Sequence, residues 1–234
     1  MGVKLIDDDT PPFPTSTIRQ AGWPEIFIAV CVYVVGISAL GYWMLQQPED
    51  KVVLRINVAG AVNFALGFTG LLEANLFRAR NWQSFGLRPI TLKWVAISIV
   101  LGLVGFGLIF IVEGVYFRFI TEANTQADFQ AAAKGGLSSM LLLLFTGAIL
   151  GPIGEELVFR GVIQSALERY GPFVAVFGSS LMFAAIHGPS VIFVDALIMG
   201  VLFGTAYRLS GSILAAIILH IVYNGLNLIY YPMI

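Results

Sequence analysis

Three short clusters in the last third of this chain hold residues able to move protons. Glu155 and Glu156 follow an apolar run and precede Arg160; His187 comes one helical turn after Phe183; His220 comes one turn before Asn224. His187 and His220 are the only histidines in the chain. Each cluster lies in or beside a stretch apolar enough to enter a membrane. There, ionisable side chains are costly and mark functional sites by default. Together they point to one polar site built between transmembrane helices.

Glu156 and Arg160 are four apart, so on a helix they share a face and can pair. That pairing matters, because a lone carboxylate at depth is very costly. Glu155 points about 100° away, toward Phe159, and is left free. Two carboxylates in unlike surroundings can take different roles, and the free one suits a general base acting on water. His220 and Asn224 share a face mid-span, where an imidazole and an amide can donate to a developing oxyanion. Alternatively, Glu155, His187 and His220 could hold zinc and leave a position open for water. Each cluster also has a plainer reading: glutamates anchoring a helix end, or a histidine satisfied by backbone. Tyr223 and Asn227 read as packing or helix–helix hydrogen bonding. Asp195 could orient a histidine, Glu73 can snorkel, and Asn63 is a further polar residue at depth.

The elements that must position these residues follow from composition. The chain has 234 residues, 58% hydrophobic and 12% charged, with a mean hydropathy of +0.85. A soluble domain carries about 25% charge. The expected fold is an all-α polytopic transmembrane bundle of about seven or eight membrane helices enclosing a polar cavity. Spans of about 20 apolar residues fall near 24–45, 53–76, 92–112, 137–153, 172–188, 190–208 and 212–230. An eighth helix would come from 113–133 or 154–170. Residues 1–22 read as a polar cytoplasmic tail and 23–234 as a single transmembrane domain. The tail lacks the basic-then-apolar pattern of a cleavable signal, so the first helix is expected to be a retained anchor. The dense glycines Gly102, Gly105, Gly107, Gly200 and Gly204 should serve close helix packing. The lone Cys31 excludes an internal disulfide and is expected to pack between helices.

Positive charges set the expected orientation. Arg78, Arg80, Arg88 and Lys93 crowd one loop, with Lys4 and Arg19 ahead of the first span. Arg160 and Arg169 in a loop at 154–170, then Arg208, fall on the same side. The amino terminus is therefore expected in the cytoplasm. Glu49, Asp50, Glu113, Glu122 and Asp128 should face out. A net charge of −1 gives no reason to expect nucleic acid as a partner.

Several intramembrane chemistries are excluded by missing motifs. There is no His-Glu-x-x-His, no Gly-x-Gly-Asp with a second aspartate, and no Gly-x-Ser-Gly. What is present is Glu-Glu-x-x-x-Arg, Phe-x-x-x-His and His-x-x-x-Asn, in that order, over roughly residues 135–230. This resembles the CAAX protease and bacteriocin-processing (CPBP, or Abi) family of Rce1-like intramembrane proteases. Phe85-Gly86-Leu87-Arg88 also looks like a feature of that family. The first 80 residues carry no such likeness. The resemblance implies a helical membrane fold with an intramembrane cavity and peptide-bond hydrolysis. Carried onto this sequence, Glu155 would activate water and His187 help to hold it. His220 and Asn224 would stabilise the oxyanion, with Glu156, Arg160 and Phe183 structuring the site. Either no cofactor or one divalent metal, zinc, is implied, and Asn224 is a poor zinc ligand.

The partners expected are a peptide or membrane-protein substrate and the lipid bilayer, in the plasma membrane of a bacterium. A non-catalytic scaffold, immunity or regulatory protein of the same fold is the competing reading. A proton-coupled transporter ranks below both, since no repeated halves are visible. One geometric tension stands out. If the fifth span crosses fully, His187 ends far from a Glu155 at the cytoplasmic end of the fourth. Convergence requires one long kinked helix running to about 168, or a short, tilted fifth helix.

Overall fold

The computed structural model describes residues 21–79, 82–121 and 123–233. Lys4, the acidic run at 7–9, Arg19, Arg80 and Glu122 lie outside the described residues, as does the side chain of Arg78. The described chain is helical throughout: α1 (Trp23–Leu45), α2 (Val52–Ala74), α3 (Leu92–Phe119), α4 (Ala127–Ala133), α5 (Leu137–Tyr170), α6 (Pro172–Ala185), α7 (Val191–Ser210) and α8 (Ile213–Tyr230). Six of these are long and apolar enough to cross a membrane, and α6 is a shorter apolar helix. Phe27, Val35, Tyr42, Leu103 and Ile111 point outward from α1 and α3. Such exposure is a liability in water and a fit to lipid. The chain is a multi-pass integral membrane protein.

α5 departs most from the expected spans. It does not end at 153 but runs 34 residues to Tyr170. Pro152 lacks an N–H, and its ring crowds the carbonyl one turn back. Just before it, residues Leu144–Leu150 widen into a π-helical stretch, and Leu157–Gln164 do so again. Such wide turns absorb a local misfit without ending the helix. Arg160, expected in a basic loop, is instead wholly buried in this helix. It needs no water because Glu156 neutralises it from within the same helix, Arg160 Nε to Glu156 Oε2 being 3.2 Å.

α6 is short. It has 14 residues, about 21 Å, against a hydrocarbon core of about 30 Å. Gly188, at φ +76°, turns the chain, and Ser190 caps α7 by accepting from the Ile192 N–H. α6 is thus too short to cross, and His187, just beyond its end, lines the cavity. Both routes out of the geometric tension are taken at once: a continuous α5 and a truncated α6.

Glycines let the remaining helices approach. A Cβ on Gly67 would lie 2.0 Å from the Gly154 carbonyl oxygen, and one on Gly60 2.6 Å from that of Thr146. α2 thus crosses α5 backbone to backbone. Gly102 meets Val222 of α8, and Gly105 meets Met199 of α7. Gly200 packs on Ser180, and Gly204 on Gln164. Gly107 has nothing within 4 Å, so its packing role does not hold. Cys31 is exposed and does not pack between helices either.

One end of the bundle is tied by polar contacts. Arg169 donates to the Ala21 carbonyl, Trp23 Nε1 to the Tyr170 hydroxyl at 2.7 Å, and Arg208 pairs with Glu168. Phe85 is buried there, and the Gly86 carbonyl accepts from the Ile213 N–H at 2.9 Å. The Arg88 carbonyl accepts from Ser212 Oγ at 2.6 Å. The Phe-Gly-Leu-Arg run therefore clamps the turn between α7 and α8.

Candidate active site

A cavity of about 600 Å³ opens among the helices, and all eight contribute to its lining. Glu155, Phe183, His187, His220 and Asn224 all line it, brought together from α5, the end of α6, and α8. Glu156 and Arg160 lie behind the wall, fully buried.

The floor is an ordered set of charges. His220 Nδ1 lies 2.8 Å from Glu156 Oε1, and its Nε2 lies 3.6 Å from Glu155 Oε2. One imidazole thus stands between the two glutamates. The ring stacks on Phe203 with centroids 4.2 Å apart and meets Phe183 edge-on. The Arg160 guanidinium lies over the Phe183 ring at 4.8 Å and the Phe203 ring at 5.3 Å, a cation–π arrangement strengthened by the absence of water. Its Nη2 donates to the Gly200 carbonyl at 2.9 Å, and Gln164 Nε2 donates to Gly204 at 2.8 Å. Residues four apart on α5 thereby grip carbonyls four apart on α7.

His187 donates from Nδ1 to the Phe183 carbonyl at 2.9 Å. A carbonyl only accepts, so that nitrogen carries the proton and Nε2 is left for other partners. Asn224 donates weakly to the Gly147 carbonyl at 3.3 Å. Asn227 donates to the Tyr223 carbonyl, and both residues line the cavity. Asp195 also lines it, but its neighbour is Glu113 on α3, not a histidine. Glu73 does not reach the cavity lining.

Glu155 is not left without contacts. Asn63 Nδ2 donates to its Oε1 at 2.6 Å, and the Tyr33 hydroxyl in turn donates to Asn63 Oδ1. Asn63 sits between the Gly60 and Gly67 contacts, so the close crossing of α2 and α5 carries its amide to the carboxylate. Tyr33 on α1 was not legible as a site residue; nothing in its spacing separates it from an ordinary packing tyrosine. As to a metal, among the described residues no group of three His, Cys, Asp or Glu side chains converges on one point. Glu155, His187 and His220 as arranged do not form a ligand set.

Residues 137–226, from the start of α5 to near the end of α8, match the family described as type II CAAX prenyl endopeptidase Rce1-like. Over that stretch the chain is similar to the Rce1-like family. Among curated relatives, "Putative membrane peptidase YdiL" of Bacillus subtilis (strain 168) is 26% identical over 187 residues, covering 76% of this chain and 73% of that protein. No solved structure matches the chain. The family match begins beyond α2, so the Tyr33–Asn63 arm lies outside the matched core.

Proposed function

We propose that this protein is an intramembrane endopeptidase that hydrolyses a peptide bond with water activated by Glu155. The observation that carries this reading is the floor of the cavity: a glutamate open to it, backed by a neutralised Glu156–Arg160 pair and flanked by His220. Glu156 and Arg160 neutralise one another behind it. Buried charge is tolerable only when compensated in this way. In the reaction, Glu155 takes a proton from water as its oxygen attacks the scissile carbonyl. His187 Nε2 helps to hold that water. The carbonyl oxygen gains charge, and His220 Nε2–H and the Asn224 amide donate to it. The proton on Glu155 then passes to the leaving amine. Glu156, Arg160 and Phe183 hold the imidazole of His220 in place. Asn63 orients Glu155.

No step in this scheme passes through a metal. A chelator should leave cleavage intact, and inhibition reversed by zinc would overturn that part. The substrate is a peptide or a membrane protein presented from the bilayer. The membrane domain spans residues 23–234 with its catalytic core at about 135–230, in a bacterial plasma membrane. An amino terminus in the cytoplasm is supported by the basic end of the bundle, where Arg88, Arg169 and Arg208 gather.

The test is proteolysis by the purified chain in liposomes, wild type against Glu155→Gln, His187→Ala and His220→Ala. Each should lower kcat by about 100-fold or more, the scale of losing a general base or an oxyanion donor. Undiminished cleavage by Glu155→Gln at normal thermal stability would instead favour a scaffold or regulator.

A further inference from the structure

The cavity carries a second polar feature that the floor does not use. Glu113 of α3 and Asp195 of α7 both line it, close enough for each carboxyl group to feel the other. Asp195 is only 4% exposed, and its Oδ1 meets no donor among the described residues. Adding Glu155 gives three carboxyl groups on the wall. No lysine or arginine lines it among the described residues. The nearby Arg55 is already engaged with Asp128 at 2.9 Å, and Arg160 is committed to Glu156. Two facing carboxyl groups must share a proton or hold a cation between them. Asp195 Oδ1, enclosed and without a donor, leaves this carboxyl group short of a partner that such a cation would supply.

We infer that Glu113 and Asp195 form a subsite for a positively charged side chain of the substrate. This rests on the proteolytic reading above and names the class of substrate: peptides with a lysine or arginine at a fixed distance from the scissile bond. The distance follows from α7. Asp195 and Phe203 are eight residues apart, about 12 Å along the helix axis, and Phe203 stacks on His220. An extended peptide covers about 3.3 Å per residue. The basic side chain therefore belongs three or four residues from the bond that is cut.

The test uses the full chain and a set of fluorogenic peptides. A single lysine is walked through every position, and each peptide is paired with its norleucine counterpart, which keeps the stem and removes the charge. Wild type should cleave the lysine peptide at least tenfold better in kcat/KM when lysine stands three or four residues from the cut. In Asp195→Asn and Glu113→Gln that ratio should fall below threefold; a ratio within one variant is insensitive to how much of it folds. Binding of the same pairs to Glu155→Gln supplies a readout without turnover and should show the same preference. Equal cleavage and equal binding of lysine and norleucine peptides would overturn the subsite, and would mean that the two acids share a proton. That result leaves proteolysis standing. Failure of wild type to cleave any peptide, or equal cleavage by Glu155→Gln, would overturn the proteolytic reading itself.

Discussion

Arg160 is a cation that never meets water, and its partners explain why. It has Glu156 on its own helix, the Gly200 carbonyl on α7, and the faces of two phenylalanines. Removing one member of such a pair strands the other. Arg160→Met should cost about 3–5 kcal/mol of stability. Adding Glu156→Gln should restore a large part, as unfolding in detergent can measure. Asn63 offers a separate test. Its bond to Glu155 is charge-assisted, worth about 1.5–3 kcal/mol. Asn63→Leu should therefore slow kcat by about 10- to 150-fold with little change in KM. A matching rise in KM would mean that Asn63 binds substrate and does not orient the base. The glutamates, histidines and Asn224 were legible because charge in apolar sequence is rare. Tyr33 was not, since tyrosine is ordinary in a membrane helix and its role appears only when α1 and α2 are in place.

At the scale of elements, the crossing of α2 on α5 decides whether Asn63 reaches Glu155. Gly67 has no room for a Cβ, because the facing atom is the Gly154 backbone carbonyl at 2.0 Å. Gly67→Val should push the helices apart, costing about 1–3 kcal/mol by overpacking, and should lower activity by a larger factor than its stability loss explains. Gly107→Ala, with nothing within 4 Å, should leave melting temperature and activity unchanged. Element boundaries were the least legible part of the sequence. A count of charges made 154–170 look like a loop, because Arg160 and Glu156 cancel only in three dimensions. The glycine-proline step at 151–152 looked like a break. It became a wide-turned helix because the neighbouring residues are buried and have nowhere else to satisfy their backbone.

For the whole molecule, the two ends differ in chemistry. Arg88, Arg169 and Arg208 gather at one end, with Glu168 holding Arg208. The other end carries Asp50, Lys51 and the Arg55–Asp128 pair. Positive charge favours the cytoplasmic side. A cysteine placed at Gln47 on a Cys31→Ser background should react with an impermeant maleimide added outside whole cells, and one at Arg88 should not. The reverse pattern would invert the orientation. The all-α bundle was legible from composition, since 58% hydrophobic residues cannot be hidden inside a chain this size. The cavity was not, because its walls come from all eight helices, many of them distant in sequence.

The paired bonds from Arg160 and Gln164 to Gly200 and Gly204 fix the register of α7 against α5. They turn the stretch of α7 between Asp195 and Phe203 into a ruler with one end pinned at the hydrolytic floor. Its length can be reset without touching the chemistry. Met199 lines the cavity one turn nearer the floor than Asp195. Exchanging the two, Asp195→Met with Met199→Asp, should shorten the ruler by about 6 Å. The preferred lysine would then move about two residues closer to the cut.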